Sequence, residues 1–167
     1  IACYNLDSVS GRLADRDPVH TGGHPTPLAI DPSGRFLFCC DAENLTMRSY
    51  RIDRSSGELT PGDGARLEAE SCFLSTDRTG RYLLSAYFRP GMIAVHSIRP
   101  DGGLVDSPVE VIHTKESSHC IQTDPSNRYA FVPHTKADAV YQFIFDEDTG
   151  RLSPGKQPVL DFDAGTA

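Results

Sequence analysis

The stretch SSHCIQTDPSNR (117–128) places an ionisable imidazole where two related stretches of the same chain place small side chains. Counting five residues back from Asp124 gives His119. The same count from Asp31 in TPLAIDPSGR gives Thr26, and from Asp77 in CFLSTDRTGR gives Cys72. An imidazole, whose ordinary pKa is about 6.5, is the side chain best suited to moving a proton near neutral pH. As a base it can activate water for attack on an ester carbonyl, provided a donor or cation stabilises the developing oxyanion. A histidine at a strand start is also readily a structural residue with satisfied hydrogen bonds, and the repeat alone leaves both readings open. Cys120 is no partner for it, because adjacent side chains on a strand point to opposite faces. Among the other histidines, His134 is discounted as a loop residue, and His96 reads as packing because Tyr and Phe fill its slot elsewhere. His20, His24 and His113 have no evident partner. The chain contains no GxSxG, HExxH, P-loop or GxGxxG pattern.

The elements that must position His119 are written in the repetition. DPSGRFLF (31–38), DRTGRYLL (77–84) and DPSNRYAF (124–131) are three copies of one unit. A second element recurs out of phase: SGRL, SGEL, DGGL and TGRL end at Leu13, Leu59, Leu104 and Leu152. Before these lie YNLD, YRID, HSIR and FIFD, whose apolar residues alternate with period two, the signature of strand rather than helix. Each unit therefore predicts four short strands. The first lies near 26–30, 72–76 and 119–123, the second near 35–40, 81–86 and 128–133, and the third near 46–52, 92–98 and 139–145. The fourth follows the GxL turn. Asp/Gly turn chemistry suits the tight hairpins between them. Four strands in about 46 residues is the size of a β-propeller blade, so the expected fold is all-β, with about three and a half four-stranded antiparallel blades.

Strands that alternate in direction sort the loops onto two faces. The DPSG and GEL turns share one face and barely vary. The other face carries DAENL (41–45), YFRPG (87–91) and HTKAD (134–138), which differ from unit to unit, and His119 begins its strand on that side. Sequence that escapes a repeat while the scaffold keeps it is where a site is grafted.

Composition limits the partners. The 167 residues include 16 basic and 23 acidic side chains, a formal charge of −7, which argues against nucleic acid as a ligand. Any anionic substrate must then be drawn by a local cation. No apolar run approaches the length of a membrane helix. The five cysteines are odd in number, sit in apolar runs and form no CxxC pair. Free thiols in a reducing, cytoplasmic setting and no bound metal are the expectation.

The DPSGRFLF units, the YRID strand followed by GEL, and above all HCIQTDPSNRYAFVPHTKADAVYQF (119–143) resemble the seven-bladed propeller lactonases. That family includes bacterial propeller-type 6-phosphogluconolactonases and fungal carboxymuconate cycloisomerases. The resemblance covers the whole chain, yet seven blades at this spacing need roughly 320 residues, so 1–167 is expected to be a partial propeller, a fragment of one larger domain. It implies hydrolysis of a sugar lactone, most simply 6-phosphogluconolactone, without cofactor or metal. A carboxymuconate-type cyclisation and a non-catalytic scaffold are the alternatives. The resemblance implies His119 as the catalytic base and assigns Lys136, Tyr87 and Asp138 to substrate binding, and Arg89 joins them as a cation close to Tyr87. Lys136 or Arg89 would supply positive charge, Tyr87 would line the opening, and Asp138 would either join the site or brace its loop. It further implies a Gly-Pro-Arg-His run after FDAGTA (162–167).

Overall fold

The computed structural model describes residues 1–163; the site of the expected Gly-Pro-Arg-His run lies outside them. Among the described residues every regular element is a strand. A two-stranded sheet, β1 (Cys3–Leu6) and β2 (Leu13–Arg16), comes first. The first complete sheet follows, made of β3 (Pro25–Ile30), β4 (Phe36–Asp41), β5 (Thr46–Ile52) and β6 (Leu59–Arg66). The second contains β7 (Phe73–Thr76), β8 (Tyr82–Tyr87), β9 (Met92–Ser97) and β10 (Glu110–His113). The third contains β11 (Gln122–Thr123), β12 (Tyr129–His134), β13 (Ala139–Phe145) and β14 (Leu152–Asp161). Each complete sheet runs in sequence order with antiparallel neighbours, the blade architecture that the repeat predicts.

The hairpins that join the first two strands of each sheet share one ligature. Asp31 Oδ1 accepts the amides of Arg35 and Phe36 at 2.8 and 2.7 Å, and its Oδ2 accepts the amide of Ser33 at 3.0 Å. Asp77 does the same with Arg81, Tyr82 and Thr79, and Asp124 with Arg128, Tyr129 and Ser126. Burial opposes ionisation of Asp31 and Asp124, but these hydrogen bonds outweigh it, lowering both carboxyls and taking Asp124 to about 2. Gly34 and Gly80 take the left-handed position of the first two turns (φ 67° and 70°), and Asn127 takes it in the third (φ 59°). Asn127 gains something in exchange: its Nδ2 donates to Asp77 at 3.0 Å and its Oδ1 accepts the Arg78 amide at 2.9 Å, clipping the second sheet to the third.

Alternation along β8 explains how the sheets stack. Tyr82, Leu84 and Ala86 pack into a core shared with Ile121, Val132, Phe143 and Phe145 of the third unit. Leu83 and Tyr87 pack the other way, against Phe38, Met47 and Leu67 of the first. Both faces of this central strand are dry, and the whole of it is buried.

Two strand expectations needed correction. The fourth strand of the second unit does not begin at DGGL. Leu104 makes only an isolated bridge to Ile98, and β10 starts at Glu110 after an excursion that seats Asp106 against the Arg66 amide at 2.8 Å. The first strand of the third unit is regular only at Gln122 and Thr123. Ser118 bridges to His134, whereas Gln122 pairs with Phe131, so residues 119–121 face only two residues of β12 and form a bulge. β3 slips in the same way between Pro25 and Leu28.

Candidate active site

His119 lies in that bulge. Its amide donates to Pro133 O at 3.0 Å, which keeps it beside β12, while its side chain is exposed. Bulges re-aim side chains that a regular strand would bury, and the neighbouring Ile121 is fully buried in the core. The imidazole meets Phe88 edge to face, with ring centroids 5.7 Å apart and planes at 87°. On the same ring lies the ammonium of Lys136, 5.3 Å from the centroid. The structure therefore brings His119 and Lys136 together on one phenyl group donated by the preceding sheet.

Three loops are fastened here by two serines. Ser117, at φ 68°, donates its amide to Phe88 O at 2.8 Å, and its hydroxyl accepts the Lys136 amide at 2.9 Å. Ser118 is fully buried, and its hydroxyl donates to Tyr87 O at 2.8 Å with Met92 O at 3.1 Å. Tyr87 and Met92 flank the loop that carries Phe88 and Arg89, so the segment leading into His119 closes that loop.

Arg89 is exposed and occupies the loop slot that Lys136 fills one sheet later and Glu43 fills one sheet earlier. Asp138 stands at φ 43°, the left-handed position taken by Leu45 and Gly91 in the sister loops, and its carbonyl accepts the Phe162 amide at 2.7 Å.

Tyr87 is a correction. Its side chain is 1% exposed, its hydroxyl meets Ser85 Oγ at 3.1 Å, and burial pushes its pKa up to about 12. Strand parity aims it at the first sheet, whereas His119 belongs to the third. The next residue, Phe88, has the parity of Tyr82, Leu84 and Ala86 and reaches His119 instead. Phe88, Ser117 and Ser118 are the residues that the sequence reading missed. Extending the alternation of β8 by one position finds Phe88, but nothing in the sequence singles out the two serines.

The nearby thiols are poor nucleophiles. All five cysteines are free, and burial raises the pKa of Cys72 and Cys120. Cys72 Sγ lies 3.4 Å from Ser118 O, beneath the backbone that carries His119. His134 is buried, with Nδ1 at 3.0 Å from Val132 O and Nε2 at 2.9 Å from Thr114 Oγ1, and burial lowers its pKa. It is a structural histidine. Among the described residues no group of three or more His, Cys, Asp or Glu side chains is placed to hold a metal ion. A cavity of about 680 Å³ lies between Asp15–Val19 and Gly57–Thr60, and its lining includes neither His119 nor Lys136.

The model of the seven-bladed β-propeller lactonase family matches residues 1–167. The chain belongs to that family. A 6-phosphogluconolactonase of Pectobacterium carotovorum is 32% identical over 155 residues, covering 93% of this chain and 46% of the relative. One of Yersinia pestis is 30% identical over 165 residues, covering 99% and 48%. The chain thus spans about half the length of the curated relatives it matches. In structure it is similar to the periplasmic gluconolactonase PpgL of Pseudomonas aeruginosa, with a TM-score of 0.83 and 25% identity over 95% of this chain and 50% of that one.

Proposed function

We propose that residues 1–167 are part of a larger propeller that hydrolyses a sugar lactone, with 6-phosphogluconolactone as substrate and 6-phosphogluconate as product. The observation that carries this is the convergence of an exposed imidazole and a cation on Phe88, at the face where the repeat breaks. The names of the relatives support the same chemistry. His119 takes a proton from water as the oxygen attacks the lactone carbonyl; the ring C–O bond then breaks, and the proton passes to the departing alkoxide. Lys136 and Arg89, in matching slots of adjacent sheets, hold the phosphate. Among the described residues no carboxylate forms a salt bridge with either. The reaction so written uses water and needs no cofactor.

The exposed face of the third sheet supports the fragment reading. Tyr129, Phe131 and Ile144 are 42%, 37% and 44% exposed, on the side opposite the core shared with the second sheet, as expected where another blade packs. A formal charge of −7 supports a small molecule rather than nucleic acid as partner. Five free thiols favour a reducing compartment, the cytoplasm, over the periplasm of PpgL. No helix of the described residues is long and apolar enough to cross a membrane. The test is a pH-stat assay of the full-length protein with 6-phosphogluconolactone. Acid release above the spontaneous rate is expected, and its absence at high enzyme concentration would overturn the proposal.

A further inference from the structure

Two residues of this chain break the repeat on the variable face, and they touch each other. His119 replaces the Thr26 and Cys72 of the sister units. Phe88, the residue just after its strand, replaces Ala42 and Thr135. A loop that closes with alanine or threonine in two sheets has no need of a phenyl group in the third. The ring is half-buried at the boundary between the second and third sheets, and its own backbone is fixed by the Ser117 amide. One partner presents an imidazole at 5.7 Å and 87°, the other an ammonium at 5.3 Å. An aromatic ring is suited to this because its face is negative and its edge positive, so it orients a ring and a cation at once.

We infer that Phe88 is a positioning residue, which fixes the orientation of His119 and the separation between His119 and Lys136. In the lactonase reading, on which this rests, the imidazole acts at the carbonyl and the ammonium at the phosphate of one substrate, each held against the same ring. A base and a cation held at a set spacing favour a phosphorylated lactone over its unphosphorylated counterpart. An aliphatic side chain of similar bulk would fill the space but orient neither partner.

The experiment uses the full-length protein and three forms: wild type, Phe88→Leu and Phe88→Tyr. Phe88→Met serves as a second ring-less variant should leucine disturb folding. Loss of orientation is expected to lower kcat on 6-phosphogluconolactone by about tenfold to a hundredfold in Phe88→Leu, with little change in Tm, while Phe88→Tyr stays near wild type. The preference for phosphorylated over unphosphorylated lactone should fall in parallel. A second readout needs no turnover. The carbon-bound ring protons of His119, assigned by their loss in His119→Gln, should carry a ring-current shift that disappears in Phe88→Leu and persists in Phe88→Tyr. Wild-type kinetics, or an unmoved His119 resonance, in a folded Phe88→Leu protein would overturn the inference. A wild-type protein with no lactonase activity would instead overturn the functional reading, and the His119 resonance would still decide the positioning role.

Discussion

The amide of Lys136 donates to the hydroxyl of Ser117 at 2.9 Å, which ties the loop carrying the cation to the segment that leads into His119. The same serine bonds Phe88 O through its amide, so three loops from two sheets meet at one residue. Stiffness of this kind matters for catalysis because a base misplaced by a fraction of an ångström forfeits much of its effect.

Removing the neighbouring hydroxyl tests that stiffness. Ser118 is fully buried, and its one hydroxyl proton is shared between Tyr87 O at 2.8 Å and Met92 O at 3.1 Å, a fastening that Ser118→Ala would remove. A loss of about 1–3 kcal/mol is expected, read as a lower urea midpoint with an unchanged slope. An unaltered midpoint would show that the hydroxyl does not fasten the loop.

For the base itself, His119→Ala in the full-length protein is expected to lower kcat by about 10²–10⁴-fold. Because the side chain is exposed, Tm should hardly move, so the loss would be one of chemistry rather than of folding. Unchanged turnover would remove His119 from the mechanism.

The cations make a different prediction. If Lys136 and Arg89 hold the phosphate equally in ground and transition states, Lys136→Ala and Arg89→Ala raise KM and leave kcat in place. The effect should vanish with an unphosphorylated lactone. A KM increase of the same size on both substrates would contradict a phosphate role.

The blades were legible because their signals are local and repeated. Asp31, Asp77 and Asp124 are bonded alike in space because they are spaced alike in sequence. His119 was legible as a departure from that register. Its setting was not, since the bulge at 119–121 depends on how the preceding linker meets β12, and period-two counting runs straight through it. Tyr87 was misplaced for a related reason: belonging to a loop-face motif says nothing of which sheet a side chain faces. Strand parity does, and it places Tyr87 in the core with Phe38 and Leu83. Ser117 and Ser118 act through backbone groups of the loops on either side, the Phe88, Tyr87 and Met92 carbonyls and the Lys136 amide, contacts that leave no trace in residue type.

His96 yields the last prediction. It fills the slot of Tyr50 and Phe143, is 2% exposed, and has no hydrogen-bond partner for either ring nitrogen among the described residues. It borders a cavity of about 220 Å³ between the first two sheets, with Arg66 and Asp106 in the lining. Burial lowers its pKa from the ordinary 6.5 to about 4, and the carboxylate of Asp106 opposes this only in part. Between those values the unfolded chain binds the proton and the folded one does not. Stability is therefore fully present above about pH 6.5 and declines as pH falls towards 4, by about 3 kcal/mol in all. Burial of His134 acts in the same direction, whereas the lowered Asp31 and Asp124 carboxyls act only in more acid solution. His96→Phe, which copies the slot as Phe143 fills it, should remove most of this slope. Urea midpoints of the two proteins at about pH 7.5 and about pH 5 measure it directly. If the wild type and His96→Phe lose the same stability between those pH values, the proton uptake belongs to another group and the buried imidazole is not the acid-sensitive element of the blade interface.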